Sequence, residues 1–247
     1  MIPIRDTVPS RYPPIAMYAI ILVNVAAFVI QLTLPEEGVR QLFYLFGLVP
    51  ARFTDPGWAE RVGIPAGNYW SFLTSMFLHG GFSHILMNMW ALWIFGDNVE
   101  DRMGPVRFAI FYILSGLVAS IVHCRLNPGS TLPTVGASGA IAGVMGAYLV
   151  MYPRSTVITI IPLFFWFGAY QIPALVYLGL WFVLQLISGT TSLANASSVG
   201  GVAWWAHVGG FVAGVVLHRL FISRGRQPRR PQPDEAVVDD ERRRYFG

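Results

Sequence analysis

The feature that most constrains this chain is a recurrence of apolar runs about as long as a bilayer is thick, parted by short stretches that hold most of the charge. The run Ile15–Leu32 supplies about 18 mostly apolar residues interrupted by Asn24, enough to cross the hydrocarbon core as a helix. Further runs cover residues 70–95, 108–122, 136–151, 172–187 and 202–221, with Tyr69 and Trp70 as interface anchors at the start of the second. With 54% hydrophobic and 12% charged residues over 247 positions, the composition lies outside the usual soluble range. The expected fold class is therefore all-α, a polytopic membrane protein built as a six-transmembrane-helix bundle.

The remaining stretches set the domain limits. Residues 1–14 are proline-rich, and the run after them is too long for the core of a signal peptide, so they are expected to stay attached as an N-terminal segment. Residues 15–222 make the membrane domain, and residues 223–247 form a tail of arginine, proline and acidic blocks with little to bury, expected to be disordered. Between the first two runs, Glu36, Glu37, Arg40 and Arg52 alternate with Phe43, Tyr44, Phe46 and Phe53. That mixture predicts short amphipathic elements at the membrane interface. Asp97, Glu100, Asp101, Arg102 and Arg107 read as a short polar connection, in which Glu100 either caps or pairs with backbone or sits in a solvated turn. Residues 156–170 are apolar, yet Pro162, Gly168 and Pro173 leave no clean spanning helix, so this stretch is read as hugging the interface. Residues 189–201 read as a flexible connection able to cap a site. Six spans put both termini on one side, together with Arg5, Arg11, Arg107, Arg154 and Arg219. The positive-inside rule makes that side cytoplasmic, in a multi-pass protein of the cell membrane. The formal charge of +4 comes from arginines spread over ends and connections, which offers nucleic acid no basic stripe. Cys124 is the single cysteine, so neither a disulfide within the chain nor a thiolate cluster is available.

Polar side chains within lipid-length segments are costly unless they face a polar interior, and three segments carry them. In the fourth, Gly136-Ala137-Ser138-Gly139 places a hydroxyl at the threshold of a short apolar helix, where unpaired amides and the positive helix end favour a developing negative charge. In the sixth, His207 stands near the start of the run. In the second, His79 precedes His84 and Asn88, and the last two share a helix face four residues apart. Gly136 and Gly139 permit a tight turn and close approach. Gly139 with Gly143, and Gly210 with Gly214, form small-residue edges that let two helices bring His207 to Ser138 as general base. No carboxylate is near in either segment. The pattern therefore predicts a Ser/His dyad whose histidine is oriented by packing or a backbone acceptor. Glycines at these spacings also pack helices without chemistry, so the assignment rests on the combination. No metal or organic cofactor is expected, because His79 and His84 are five apart and no carboxylate or thiol joins them. A transporter would need paired short spans in matching halves, which the runs do not provide.

Taken together, Gly136-Ala137-Ser138-Gly139, Ala206-His207-Val208-Gly209-Gly210 and His79-Gly80-Gly81-Phe82-Ser83-His84 with Asn88 resemble the rhomboid intramembrane serine proteases over roughly residues 14–221. The resemblance implies a rhomboid-like bundle that cleaves peptide bonds in or near transmembrane segments of membrane-protein substrates within the lipid bilayer. It implies Ser138 as nucleophile and His207 as its partner. His84 and Asn88 would stabilise the oxyanion together with the Ser138 backbone amide. Glu100 to Gly104 is similar to a structural turn of the family, residues 189–201 to its mobile cap, and residues 33–69 to its large first loop. Two positions depart from the family pattern. Ser71 follows Trp70 where many relatives carry arginine, which leaves the first loop to other contacts. Ala142 stands where some carry an aromatic against the histidine. A catalytically silent rhomboid-like protein that binds transmembrane helices is the alternative, and intact Ser138 and His207 weigh against it. Asn195-Ala196-Ser197 matches a glycosylation acceptor, with use beside a membrane site not expected.

Overall fold

The computed structural model describes residues 1–163, 166–194, 202–223 and 225–226. In chain order these form β1 (Ile2–Asp6), α1 (Ile15–Leu32), α2 (Glu36–Phe46), α3 (Ala51–Thr54), α4 (Pro56–Arg61) and α5 (Ser71–Thr74). A 3-10 turn at Ser75–Phe77 leads to α6 (Phe82–Met103), α7 (Pro105–Leu126), α8 (Ser138–Met151), β2 (Thr156–Leu163), β3 (Trp166–Pro173), α9 (Ala174–Ala194) and α10 (Trp204–Phe221). Among the described residues, α1, α7 and α9 are long and apolar enough to cross a membrane, and α8 is a shorter apolar helix. The apolar residues exposed on α1, α7 and α9, such as Leu22, Ile110 and Leu184, are a surface suited to lipid.

The fold is mostly helical but not all-α. A three-stranded antiparallel sheet in the order β1-β2-β3 pairs Ile2 with Ile160 and Thr156 with Pro173. The β-branched run Thr156, Val157, Ile158, Thr159, Ile160, Ile161 favours extended backbone, and pairing satisfies amides that a lone apolar chain would leave open. The sheet also ties the N-terminal segment to the helical body.

Two helix limits differ from the sequence expectation. The second run starts its long helix at Phe82, after the polar stretch at His79-Gly80-Gly81, and α6 then continues through the residues read as a polar connection. Glu100 and Asp101 tolerate that helical, buried position because backbone amides satisfy them. Ala16 N–H and Met17 N–H donate to Glu100 at 2.9 and 2.7 Å, and Arg11 N–H and Tyr12 N–H donate to Asp101 at 3.1 and 2.9 Å. Glu100 thus caps the amide end of α1 from a distance. Gly104, at φ 81°, and Pro105 then end α6 and start α7. At the other discrepancy, α9 runs on to Ala194, so the start of the expected flexible connection is helical. Residues 195–201, with the Asn195 motif, lie outside the described residues, as does nearly all of the tail.

The core sits where α7, α8 and α10 pack against one another, with α8 and α10 in the most extensive contact. The contact is made by backbone rather than by side chains. A Cβ at Gly210 would collide with the Gly139 carbonyl, one at Gly214 with the Gly143 carbonyl, and one at Gly146 with the Phe211 carbonyl. On the α7 side, Gly143 faces Ser115 and Gly139 faces Ala119. Small residues on three helices let the axes approach closely enough for side chains at their ends to meet.

Candidate active site

Ser138 opens α8, and the first intrahelical hydrogen bond runs from Ile141 N–H to Ala137 O at 3.0 Å. The Ser138 N–H therefore lies ahead of the helical ladder, at the positive helix end. The chain leading to it is pinned by backbone bonds. Thr134 and Leu48 exchange N–H donors at 2.8 and 2.9 Å, and Gly136 N–H donates to Ser75 O at 2.9 Å. A buried histidine, His123, adds a ring contact to Thr134 Oγ1 at 3.0 Å.

The glycine contact between α8 and α10 brings His207 to the serine, with Nε2 2.8 Å from Ser138 Oγ. On its far side, Nδ1 is 2.7 Å from Gln185 Oε1 of α9. The sequence predicts packing or a backbone acceptor; the acceptor is a side-chain amide, with packing beside it. Trp181, one turn earlier on α9, holds its ring 5.8 Å from the imidazole at a 33° tilt. Ala142 is fully buried and offers no ring; the rings beside His207 are those of Trp181 on α9 and Trp204 on α10.

His84 and Asn88, four residues apart on α6, face the same point. Gly80 N–H donates to His84 Nδ1 at 3.2 Å, which leaves Nε2 as the protonated nitrogen of the neutral ring. That nitrogen would lie 2.7 Å from a Cβ at Gly136, and Asn88 Nδ2 would lie 3.5 Å from it. Asn88 Nδ2 is buried and has no partner among the described residues. Gly136, at φ 128°, leaves open a space at which two donors point, two residues before Ser138. His84, Asn88, Gly136, Ser138, Gly139 and His207 all line one cavity of about 780 Å³.

The other expected site residues lie apart from this point. His79 presents its backbone rather than its ring. Gln31 of α1 donates to His79 O at 2.8 Å and accepts from His79 N–H at 3.0 Å, while the buried imidazole stands 5.2 Å from that of His84. Gly210 and Gly214 serve the α8 contact, and Glu100 lies at the far end of α6, three turns beyond Asn88. Sequence reasoning passed over Gln185 and His123. A lone amide in the Leu184-Gln185-Leu186 run was the available signal for the first.

Chemically, the cavity holds a hydroxyl on a neutral imidazole nitrogen and N–H donors aimed at a neighbouring empty point. Among the described residues no group of three or more His, Cys, Asp or Glu side chains is placed to hold a metal ion. Residues 66–224 match the family model of the Rhomboid domain. The chain is 33% identical to "RHOMBOID-like protein 5" of Arabidopsis thaliana over 168 residues, which cover 68% of this chain and 49% of that protein. It is 40% identical to "Rhomboid protease GluP" of Bacillus subtilis over 93 residues, or 38% of this chain and 18% of that protein. With "Rhomboid protein 1, mitochondrial" of Saccharomyces cerevisiae it shares 27% over 171 residues, covering 68% of this chain and 46% of that protein. The match thus spans about half the length of these relatives or less. A domain match over residues 66–224, which contain every residue lining the cavity except Leu48, makes this chain a member of the rhomboid family.

Proposed function

We propose that the chain is an intramembrane serine endopeptidase, cleaving peptide bonds in or near transmembrane segments of other membrane proteins. The observation that carries this reading is the 2.8 Å pairing of Ser138 Oγ with His207 Nε2 beside an Asn88 Nδ2 that has no partner among the described residues. Ser138 Oγ attacks the scissile carbonyl carbon as its proton passes to His207 Nε2. The carbonyl oxygen, now negative, occupies the space left by Gly136 and receives hydrogen bonds from His84 Nε2, Asn88 Nδ2 and the Ser138 amide. The C–N bond then breaks, and His207 gives its proton to the departing amine. Water, deprotonated by the same nitrogen, hydrolyses the acyl-enzyme and restores Ser138. Neither step calls for a metal or cofactor.

In this reading α1, α6, α7, α8, α9 and α10 are six membrane-crossing helices, with α8 beginning below the surface and the cavity open to water on the non-cytoplasmic side. Both termini then lie in the cytoplasm, where Arg5, Arg107 and Arg219 satisfy the positive-inside rule. By family resemblance, substrates are single-span segments with a locally unwound stretch and a small residue before the scissile bond.

The test is cleavage of a single-span substrate by the purified protein in lipid, alongside Ser138→Ala and His207→Ala. Each variant is expected to lose at least about 10³-fold in kcat. Undiminished cleavage by either removes the dyad. Binding without cleavage across several permissive substrates replaces the protease reading with that of a silent binder of transmembrane helices.

A further inference from the structure

We infer that α9 positions the catalytic histidine, with Gln185 holding His207 Nδ1–H and Trp181 holding the ring plane. This rests on the Ser138–His207 reading above. A neutral imidazole has one N–H and one lone pair, and a base for the Ser138 hydroxyl needs the lone pair at Nε2. The proton must then sit on Nδ1 and needs an acceptor. Gln185 Oε1 is 2.7 Å away, and it stands in a buried setting where both residues have less than a tenth of their surface exposed. An amide NH₂ in its place cannot accept, so the orientation with oxygen toward the ring is the one compatible with general-base catalysis.

The geometry of α9 supports a dedicated device. Trp181 and Gln185 are four residues apart and share the face that meets α10. The register of that face is fixed on both sides of Gln185. Phe182 stacks on Phe211 with ring centroids 4.6 Å apart, and Trp205 Nε1–H donates to Gly189 O at 3.2 Å. Trp204 closes the imidazole from another side, edge-on at 6.3 Å. Neither Gln185 nor Trp181 lines the cavity, so Gln185 acts on the reaction through His207 and not on substrate. Gln185 is a positioning residue, and it links the seating of α9 to the competence of the base.

The experiment uses the full chain in lipid, wild type against Gln185→Leu and Gln185→Glu, with two readouts. The first is kcat and KM for a single-span substrate. The second is the ¹⁵N spectrum of the histidine rings, with His207 assigned by its loss in His207→Ala. Gln185→Leu is expected to lower kcat by about 10- to 100-fold with KM unchanged. Gln185→Glu, which keeps an acceptor, recovers most of that loss. In the spectrum, wild-type His207 is the Nδ1-protonated tautomer, and Gln185→Leu gives a mixture. Unchanged kcat in Gln185→Leu overturns the inference, as does equal impairment of both variants, which a packing role alone produces. If wild type shows no Ser138-dependent cleavage, the protease reading fails and the spectrum still decides this point. An unchanged His207 tautomer in Gln185→Leu removes Gln185 from the role.

Discussion

Asn88 leaves its buried Nδ2 without a partner among the described residues and beside a cavity, an arrangement that, in the proposed protease reading, favours the reaction at the expense of the resting fold. Asn88→Ala removes a donor that has no partner among the described residues. The melting temperature should stay the same or rise, while kcat falls by about 10²- to 10³-fold; calorimetry and single-substrate kinetics on the same preparation read both. Gly136 makes the opposite case. At φ 128° an L side chain is strained, and its Cβ would lie 2.7 Å from His84 Nε2. Gly136→Ala should therefore lower both stability and kcat, the latter by at least about 10²-fold as the His84 donor is displaced. Full activity in that variant would mean that His84 does not face the oxyanion.

Among the elements, the first loop shows how a missing residue is replaced. Ser71 departs from the arginine that the family resemblance leads one to expect there, yet a guanidinium is present. Arg52, only 1% exposed, turns back from α3 to donate to the carbonyls of Tyr44 and Leu45 at the end of α2. Asn68 donates to the same Leu45 carbonyl at 2.8 Å, and Thr74 Oγ1 donates to Phe46 O at 2.6 Å. The end of α2 thus hands its unpaired carbonyls to side chains drawn from across the loop. Arg52→Ala removes the donor to the Tyr44 carbonyl and one of two donors to the Leu45 carbonyl, a loss of about 0.5 to 1.5 kcal/mol per hydrogen bond. Limited proteolysis should then open residues 36–74 first. Arg52→Lys should restore little, because a point charge on one stem cannot reproduce the planar fork. Equal protease resistance in wild type and Arg52→Ala would show that the loop is held by its apolar contacts alone.

At the scale of the whole molecule, the N-terminal segment runs along α6 and ties it to the close of α8 and the sheet. Trp90 Nε1–H, in the first half of α6, donates to Pro3 O at 2.6 Å, and toward the close of α6 Asn98 Nδ2 donates to Val8 O at 2.9 Å and Ser10 Oγ to Asp97 at 2.6 Å. Tyr148 of α8 donates its hydroxyl to Asp6 at 2.5 Å. Burial pushes the Asp6 carboxyl up from its ordinary 3.8 to about 7, with Asp97 adding to the rise and Tyr148 opposing it. The folded chain therefore keeps this proton over a range in which the unfolded chain has released it, from about pH 4 to about pH 7. Stability contributed by Asp6 falls as pH rises through that window. Melting curves should shift downward between pH 5 and pH 8, and Asp6→Asn should flatten that slope. An equal slope in the variant would place the pH dependence elsewhere.

The sequence by itself determined the features that depend on local order. Apolar runs of lipid length marked α1, α7 and α9, and the short run after Gly136 marked α8 with Ser138 at its first turn. The spacing of His84 and Asn88 put both on one helix face, and the paired glycines forecast two helices in backbone contact. Tertiary structure decided what depends on partners remote in sequence. Ile2 pairs with Ile160 because open amides find each other across the fold, and no periodicity within residues 1–14 encodes that register. The sequence leaves Glu100 between a solvated turn and a cap for backbone amides, and the fold decides for the cap by bringing the amides of residues 16 and 17 to it and those of residues 11 and 12 to Asp101. Gln185 is one amide in an apolar helix, and only the seating of α9 on α10 sets its oxygen against His207. Helix length and face follow from neighbours a few residues away. The satisfaction of a buried polar group follows from whatever the fold brings within 3 Å of it.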